Sequence, residues 1–413
     1  MAGTDSLTTV IDRVEPAGLR VVCTTMPGPT EFCGLIVNAG SRDELTAATH
    51  GLAHFVEHTI FKGTGRRSDS YVLNRMEQVG GELNAYTTKE ETTLYAAMPA
   101  GNHARACALI GELASESVFP ERKLDLEREV ICDEIDSYLD SPAESVYDFF
   151  DEIAYAGNPL AHNILGTKES VAAIDSAMCR DYLRRAFAAD NAVYFYLGPE
   201  SPSKVMAAVR RAFSALPARA DMSARIAPQV CGPENRLTDR GSHQCHTLMG
   251  VPVGGLHSER RHAVALASNI LGGPGMNALL NVELRERRGL VYSVETSTAL
   301  MSDCGMMTVY FGCDHHDLRR CSRLVESTLN RFASSALSER RLAAWKRQYL
   351  GQLTLSLDNK EQLALNCGRA VLHGLPVPSF ARTAEKIASI TPEELREVAE
   401  KLAQAPLRTL TLA

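Results

Sequence analysis

A chain of 413 residues with 45% apolar and 23% charged side chains has the make-up of a folded globular protein, long enough for two or more domains. Its net charge of −7, without a run of Lys or Arg, argues against nucleic acid or an anionic membrane surface as the main partner and leaves peptides or small molecules. The 11 Cys are scattered and odd in number and form no C-x-x-C pair, so they read as reduced core thiols rather than a thiolate metal site or redox dithiol.

The opening stretch "MAGTDSLTTVIDRVEPAGLRVV" has early acidic residues and no continuous apolar run, unlike a secretory signal or an Arg-rich transit peptide. No segment approaches the roughly 20 apolar residues of a membrane-spanning helix, which makes the cytoplasm the expected compartment. Strand character follows at "LRVVCTTM" (19–26) and "FCGLIVNAG" (32–40), and helical spacing takes over from His50 to Phe61. A helix is predicted over Ser70 to Val79, strands at "GGELNAYTT" (80–88) and "TTLYAAM" (92–98), and mostly helix from Ala104 to Phe187. The strand "AVYFYLG" (192–198) and a helix from Pro202 to Ala215 close the first half.

Periodicity fails between Leu216 and Ser242, where Pro, Gly and polar residues collect as in a linker. Beyond it the order of elements begins again. "HTLMGVPVGG" resembles "CGLIVNAG", "ALASNILGGPG" resembles "HFVEHTIFKGTG", and "GLVYSVETS" resembles "GELNAYTTK". The offset stays near 210 residues, being 210 from Phe61 to Leu271 and 208 from Gly81 to Gly289. This suggests one duplicated unit, although two unrelated α/β halves also look vaguely alike. The second copy lacks the His and Glu residues of the first.

Those residues lie in "GLAHFVEHTIFKGTG" (51–65). In a helix, positions i, i+3 and i+4 share a face, so His54, Glu57 and His58 converge. Two imidazoles one turn apart can bind one zinc ion, and a carboxylate beside them can hold or deprotonate a water. The alternative is a pair of surface His on a polar helix; the neighbours Leu52, Ala53, Phe55, Val56, Ile60 and Phe61 are instead apolar. A catalytic zinc needs a third protein donor. The segment "LDLEREVICDEIDSYLDSP" (124–142) offers candidates: Glu127 and Glu134, seven residues apart, fall within about 20° of each other around a helix axis, while Asp133 points about 100° away and Glu129 further still. By composition alone this acidic helix is equally a solvated face.

H-x-x-E-H, followed 76 residues after its last His by Glu134 in "EREVICDE", resembles the inverzincin metallopeptidases of the pitrilysin type, which include insulin-degrading enzyme and the mitochondrial processing peptidase. The likeness runs through nearly the whole chain, with "GLAHFVEHTIFKGT", "GGELNAYTTKEETTLYAAM", "EREVICDEI", "PLAHNILGT" and "LRERRGLVYSV" in the family's order. Carried over by position, it implies that His54, His58 and Glu134 bind one Zn²⁺ per chain. Glu57 is then the general base, and Glu127 a supporting acid behind the ligands. It also implies that Asn84, Ala85 and Tyr86 lie on an edge strand along which substrate backbone is laid, flanking the scissile bond. Arg285 and Tyr292 would reach the substrate and its developing oxyanion from the domain opposite the zinc. Arg287 and Arg288 have no such match and are expected to be solvated. His315 and His316 in "GCDHHDL" lack a third partner at metal spacing and are expected at a helix start.

The implied fold is α+β: two similar domains, 1–220 and 236–413, joined by a linker at 221–235. Each is a mostly antiparallel sheet with helices packed on one face, and only the first holds metal. The implied activity is that of a zinc-dependent endopeptidase or oligopeptidase cutting unfolded peptides in a closed chamber between domains. Family enzymes enclose substrate with four such domains, which makes a homodimer the expected assembly. The alternatives are a dedicated processing peptidase trimming one precursor or leader peptide, and a non-catalytic partner subunit. Such subunits have lost the zinc motif, which is intact here.

Overall fold

The structure is a computed structural model that describes residues 8–229, 232–335, 338–405 and 407–413. Six strands, β1 (Thr8–Val14), β2 (Leu19–Thr25), β3 (Thr30–Val37), β4 (Glu82–Thr87), β5 (Thr92–Pro99) and β6 (Ala192–Gly198), form one sheet in the order β1-β2-β6-β3-β5-β4. Five more, β7 (Glu234–Thr238), β8 (Cys245–Val253), β9 (Val291–Leu300), β10 (Gly305–Cys313) and β11 (Arg408–Leu412), form a second in the order β7-β11-β8-β10-β9. Every neighbouring pair is antiparallel except β2–β6 in the first sheet and β7–β11 in the second.

Read from one edge, β4-β5-β3-β6-β2 and β9-β10-β8-β11-β7 are the same order with the same single parallel pair. The duplication suggested by the matched segments is therefore present in the topology, with β1 added to the first copy. The expected α+β class, two similar and mostly antiparallel domains, is the observed one.

The helices of the first half are α1 (Leu52–Thr59), α2 (Asp69–Glu77), α3 (His103–Glu116), α4 (Glu121–Leu139), α5 (Pro142–Ala154), α6 (Lys168–Ala173), α7 (Ser176–Ala186) and α8 (Pro202–Ala212). Those of the second are α9 (Arg261–Gly272), α10 (Leu318–Ser334), α11 (Glu339–Ser356), α12 (Lys360–Leu372), α13 (Phe380–Ser389) and α14 (Pro392–Gln404). One face of the first sheet packs Leu35, Val37, Leu94 and Tyr194 against Phe55 and Val56 of α1, Ile110 of α3 and Val209 of α8. In the second, Met249, Val251 and Phe311 meet Leu266 and Ile270 of α9, Val325 of α10 and Leu395 of α14.

The other face of each sheet is also apolar, and the chain covers it by an exchange. All seven residues of β6, "AVYFYLG", are buried, as in a strand covered on both sides. On the far face Val22, Ile36, Val193 and Phe195 pack with Ala364, Leu365 and Val371 of α12. In the second sheet Leu248, Met306 and Leu410 pack with Val146, Phe150 and Ile153 of α5. Gly250 is needed there, because a Cβ on it would fall 2.1 Å from Phe150 Cζ. Each sheet thus has its layer of helices on one face and, in addition, one helix on the other.

The chain accordingly gathers into two compact units, one of residues 1–136, 162–225 and 357–378, the other of 137–161, 226–356 and 379–413. This differs from a single division at 220–236 in the two exchanged segments. The first unit also runs on to Arg225, whose guanidinium holds Asp43 at 2.8 Å and Asn38 Oδ1 at 2.9 Å. The ten described cysteines are free and eight of them are buried, while Cys231 lies outside the described residues. Among the described residues no helix is long and apolar enough to cross a membrane.

Candidate metal centre

α1 forms because Leu52, Ala53, Phe55 and Val56 give it a buried stripe, and it starts at a left-handed Gly51 with φ 87°. Glycine is required at this residue both by its φ and by the close approach of Leu165 O, 2.6 Å from where a Cβ would stand. Gly51 offers no side chain to cap the helix. The buried carboxylate of Glu44 does so instead, accepting from Ala53 N at 2.7 Å and Gly51 N at 2.8 Å. His162 Nε2 lies 2.9 Å from the same carboxylate, and its ring stacks on His50 at 3.8 Å.

The predicted face is formed. His54 is buried and His58 half-buried, with their rings 4.5 Å apart. α4 brings Glu134 to them across 76 residues of chain: its Oε2 lies 3.8 Å from His54 Nε2 and 3.6 Å from His58 Nε2. One ligand atom from each residue falls within 4.8 Å of the others. A tetrahedral ion with bonds of about 2.0–2.1 Å spaces its ligand atoms roughly 3.3 Å apart, so two imidazole nitrogens and one carboxylate oxygen at these separations suit zinc, with a fourth place left open.

Electrostatics agree with that use. Burial, and then the neighbouring His58, lower the His54 imidazole to about 3, which keeps its ring neutral and its lone pair free. Glu57 sits half-buried beside the pair. Burial pushes its carboxyl above the ordinary value, Glu134 pushes the same way and His58 opposes both. A carboxylate with a raised value is suited to taking and returning a proton. Glu127 Oε1 lies 3.2 Å from His58 Nδ1, the arrangement that would leave Nε2 free to hold a metal. His54 Nδ1 is buried with no hydrogen-bond partner among the described residues.

The three strand residues separate by alternation. β4 is an edge of its sheet, so its outer backbone groups have no strand beside them among the described residues. Ala85 packs with the core that holds α1, whereas Tyr86 packs on the opposite face with α12. There the Tyr86 hydroxyl accepts from Arg369 at 3.2 Å. Asn84 is exposed.

Arg285 and Tyr292 belong to the second unit. Arg285 is exposed on a π-helical turn, Asn281–Glu286, and Tyr292 is 62% exposed on β9, the edge matching β4. Arg287 and Arg288 are exposed, as expected, and both also reach the buried Glu283, Arg288 at 2.6 Å and Arg287, like Arg331, at 3.3 Å. Burial pushes the Glu283 carboxyl up, but Arg331 and Arg288 outweigh it and hold it below the ordinary value. His315 and His316 form the turn before α10, as expected, but His316 does have partners at metal spacing: its ring lies with Asp314 and Asp317 in a group whose ligand atoms fall within 4.8 Å of one another. Sequence reading missed Glu44 and His162, which have no metal-like spacing; "PLAHNILGT" marked the second only as a shared motif.

The chain matches two family models: Insulinase (Peptidase family M16) over residues 20–168, and Peptidase M16 inactive domain over residues 173–349. It is 32% identical to an uncharacterized zinc protease of Streptomyces coelicolor, covering 96% of this chain and 88% of the relative. It is 28% identical to the mitochondrial-processing peptidase subunit beta of Lentinula edodes, covering 93% and 85%. Its fold is similar to a peptidase M16 inactive domain structure from Pseudomonas fluorescens, with TM-score 0.91, 19% identity and 98% of each chain covered. A protease from Helicobacter pylori gives TM-score 0.89 and 18% identity, covering 98% of this chain and 99% of that one.

Proposed function

The chain belongs to the insulinase family of peptidases, M16, and from that premise we propose that it is a zinc-dependent endopeptidase or oligopeptidase acting on unfolded peptides. The observation that carries the reading is the convergence of His54 Nε2, His58 Nε2 and Glu134 Oε2 with Glu57 beside them. A zinc ion held by those three would polarise a peptide carbonyl and acidify a water. Glu57 accepts the proton of the attacking water on its carboxylate and returns it to the leaving amine. The free edge of β4, at Asn84, Ala85 and Tyr86, pairs with extended substrate through main-chain hydrogen bonds, which tolerate many side chains. Tyr292 donates to the developing oxyanion and Arg285 holds the peptide.

Two copies of the chain would supply the four units that enclose substrate. Both the metal set and the Arg285/Tyr292 pair are in one chain, so self-association needs no different subunit. The intact ligands argue against a non-catalytic partner. A second reading, a dedicated processing peptidase, is favoured by the beta-subunit relatives. Metal analysis of the purified protein, with a peptide-library digest read by mass spectrometry, tests both. About one zinc per chain and many cleaved sequences support general turnover, cleavage of one motif supports processing, and no cleavage with zinc bound refutes both.

A further inference from the structure

The two carboxylate oxygens of Glu127 face different partners. Oε1 lies 3.2 Å from His58 Nδ1, and Oε2 lies 2.5 Å from Lys62 Nζ. Lys62 stands four residues beyond His58, just past the end of α1, where its backbone N donates to Thr59 O at 3.0 Å. The Glu127 side chain is 12% exposed and that of Lys62 29%, so these two donors rather than solvent decide how the carboxylate is turned.

A carboxylate held at one oxygen only can rotate away from its partner, whereas a cation on the far oxygen restricts that rotation. We propose that Lys62 is a positioning residue for the metal: by holding Glu127 Oε2 it keeps Oε1 on His58 Nδ1, which leaves the Nε2 lone pair directed to the site shared with Glu134. The inference rests on the zinc reading above. His58 is the imidazole that needs this support, and it alone of the pair receives it, because His54 Nδ1 has no hydrogen-bond partner among the described residues.

An ion pair that served stability alone would leave zinc affinity unmoved. Zinc affinity of the full-length metal-free chain is therefore measured by competition with a chromogenic chelator. The proteins compared are the wild type, Lys62→Met, Lys62→Gln, Lys62→Arg, Glu127→Gln and the double variant Lys62→Met/Glu127→Gln, with melting of each metal-free form recorded alongside. Lys62→Met and Lys62→Gln are each expected to weaken zinc roughly 10-fold, the low end for groups that orient a ligand. Lys62→Arg restores affinity to within about threefold, since a guanidinium also reaches a carboxylate. The double variant is no weaker than Glu127→Gln, because both changes break the same chain of contacts. Unchanged affinity in both neutral Lys62 variants overturns the inference and leaves the zinc reading standing. Multiplied losses in the double variant also overturn it, since Lys62 would then act without Glu127. A wild type that binds no zinc overturns the zinc reading and this inference with it.

Discussion

Glu44→Ala removes the group that closes the start of α1. Glu44 is 3% exposed, and its oxygens receive Ala53 N at 2.7 Å, Gly51 N at 2.8 Å and His162 Nε2 at 2.9 Å. Loss of a helix cap alone costs about 1–2 kcal/mol. Burial holds the Glu44 carboxyl well above its ordinary value, so its hydrogen bonds count as those of a neutral group, about 0.5–1.5 kcal/mol each, and water entering the emptied space recovers part of that. Together these give a loss of about 3 kcal/mol. For a folding unit of this size, at about 2–4 °C per kcal/mol, the melting temperature falls roughly 6–12 °C. Calorimetry of the metal-free protein in chelator is the assay, so that zinc binding adds nothing to the difference. Glu44→Gln keeps an acceptor for one N–H and is expected to lie between. The same variants should bind zinc more weakly, because His54 and His58 are both carried by this helix. A fall of under about 1 °C in Glu44→Ala would refute the reasoning, since it would mean that the start of α1 is held without the carboxylate.

Four further outcomes are expected. Glu57→Gln retains zinc and loses about 10²–10⁴-fold in turnover, because an amide cannot accept the water's proton; retention of both would remove Glu57 as the base. Glu134→Gln loses more zinc on dialysis than Glu127→Gln, whose cost is about 10 to 100-fold; equal losses would misplace the third ligand. Tyr292→Phe lowers turnover by roughly 2–4 kcal/mol of transition-state stabilisation with zinc content unchanged, and steady-state kinetics at full turnover would make β9 a bystander. Glu91 is pushed up by burial, yet the His373 hydrogen bond and the Arg369 charge outweigh it and hold its carboxyl below 4.5. A folded value below the unfolded one adds stability that is full above about pH 4.5 and is lost as pH falls through the lower value. Urea titrations of the wild type and Glu91→Gln should therefore differ by a constant amount near neutral pH and converge in acid, and a gap that widens in acid would reverse the sign. The groups facing Glu91 in that comparison are Arg369, His373 and Tyr86.

Much of the candidate metal centre was legible along the chain. Three residues at i, i+3 and i+4 must share a helix face whatever surrounds them, and α1 puts His54, Glu57 and His58 there. Strand β6 was readable as an unbroken apolar run, and the repeated order of elements anticipated two sheets of one topology. Other strands were silent. β7 is exposed over Glu234, Asn235, Arg236 and Leu237 and half-buried only at Thr238, so no alternation marks it, and its pairing comes from backbone contact with β11 at the far end of the chain. Arg288 is exposed, as its sequence implied, but nothing in "RERRG" shows that it pairs with the buried Glu283.

Periodicity by itself determined which side chains point together over one or two turns, since rotation per residue is set by the backbone. Only tertiary structure decided what crosses to meet them. That Glu134 rather than another acid of α4 faces both imidazoles is settled by how α4 lies against α1, as are the turn of Glu127 between His58 and Lys62 and the capping of α1 by Glu44. The same holds for α5 and α12, whose apolar faces show that each must be covered but not by what. Their partners are apolar sheet faces in the other half of the sequence, and burial there depends on area and shape in three dimensions, which leave no periodic trace in the chain.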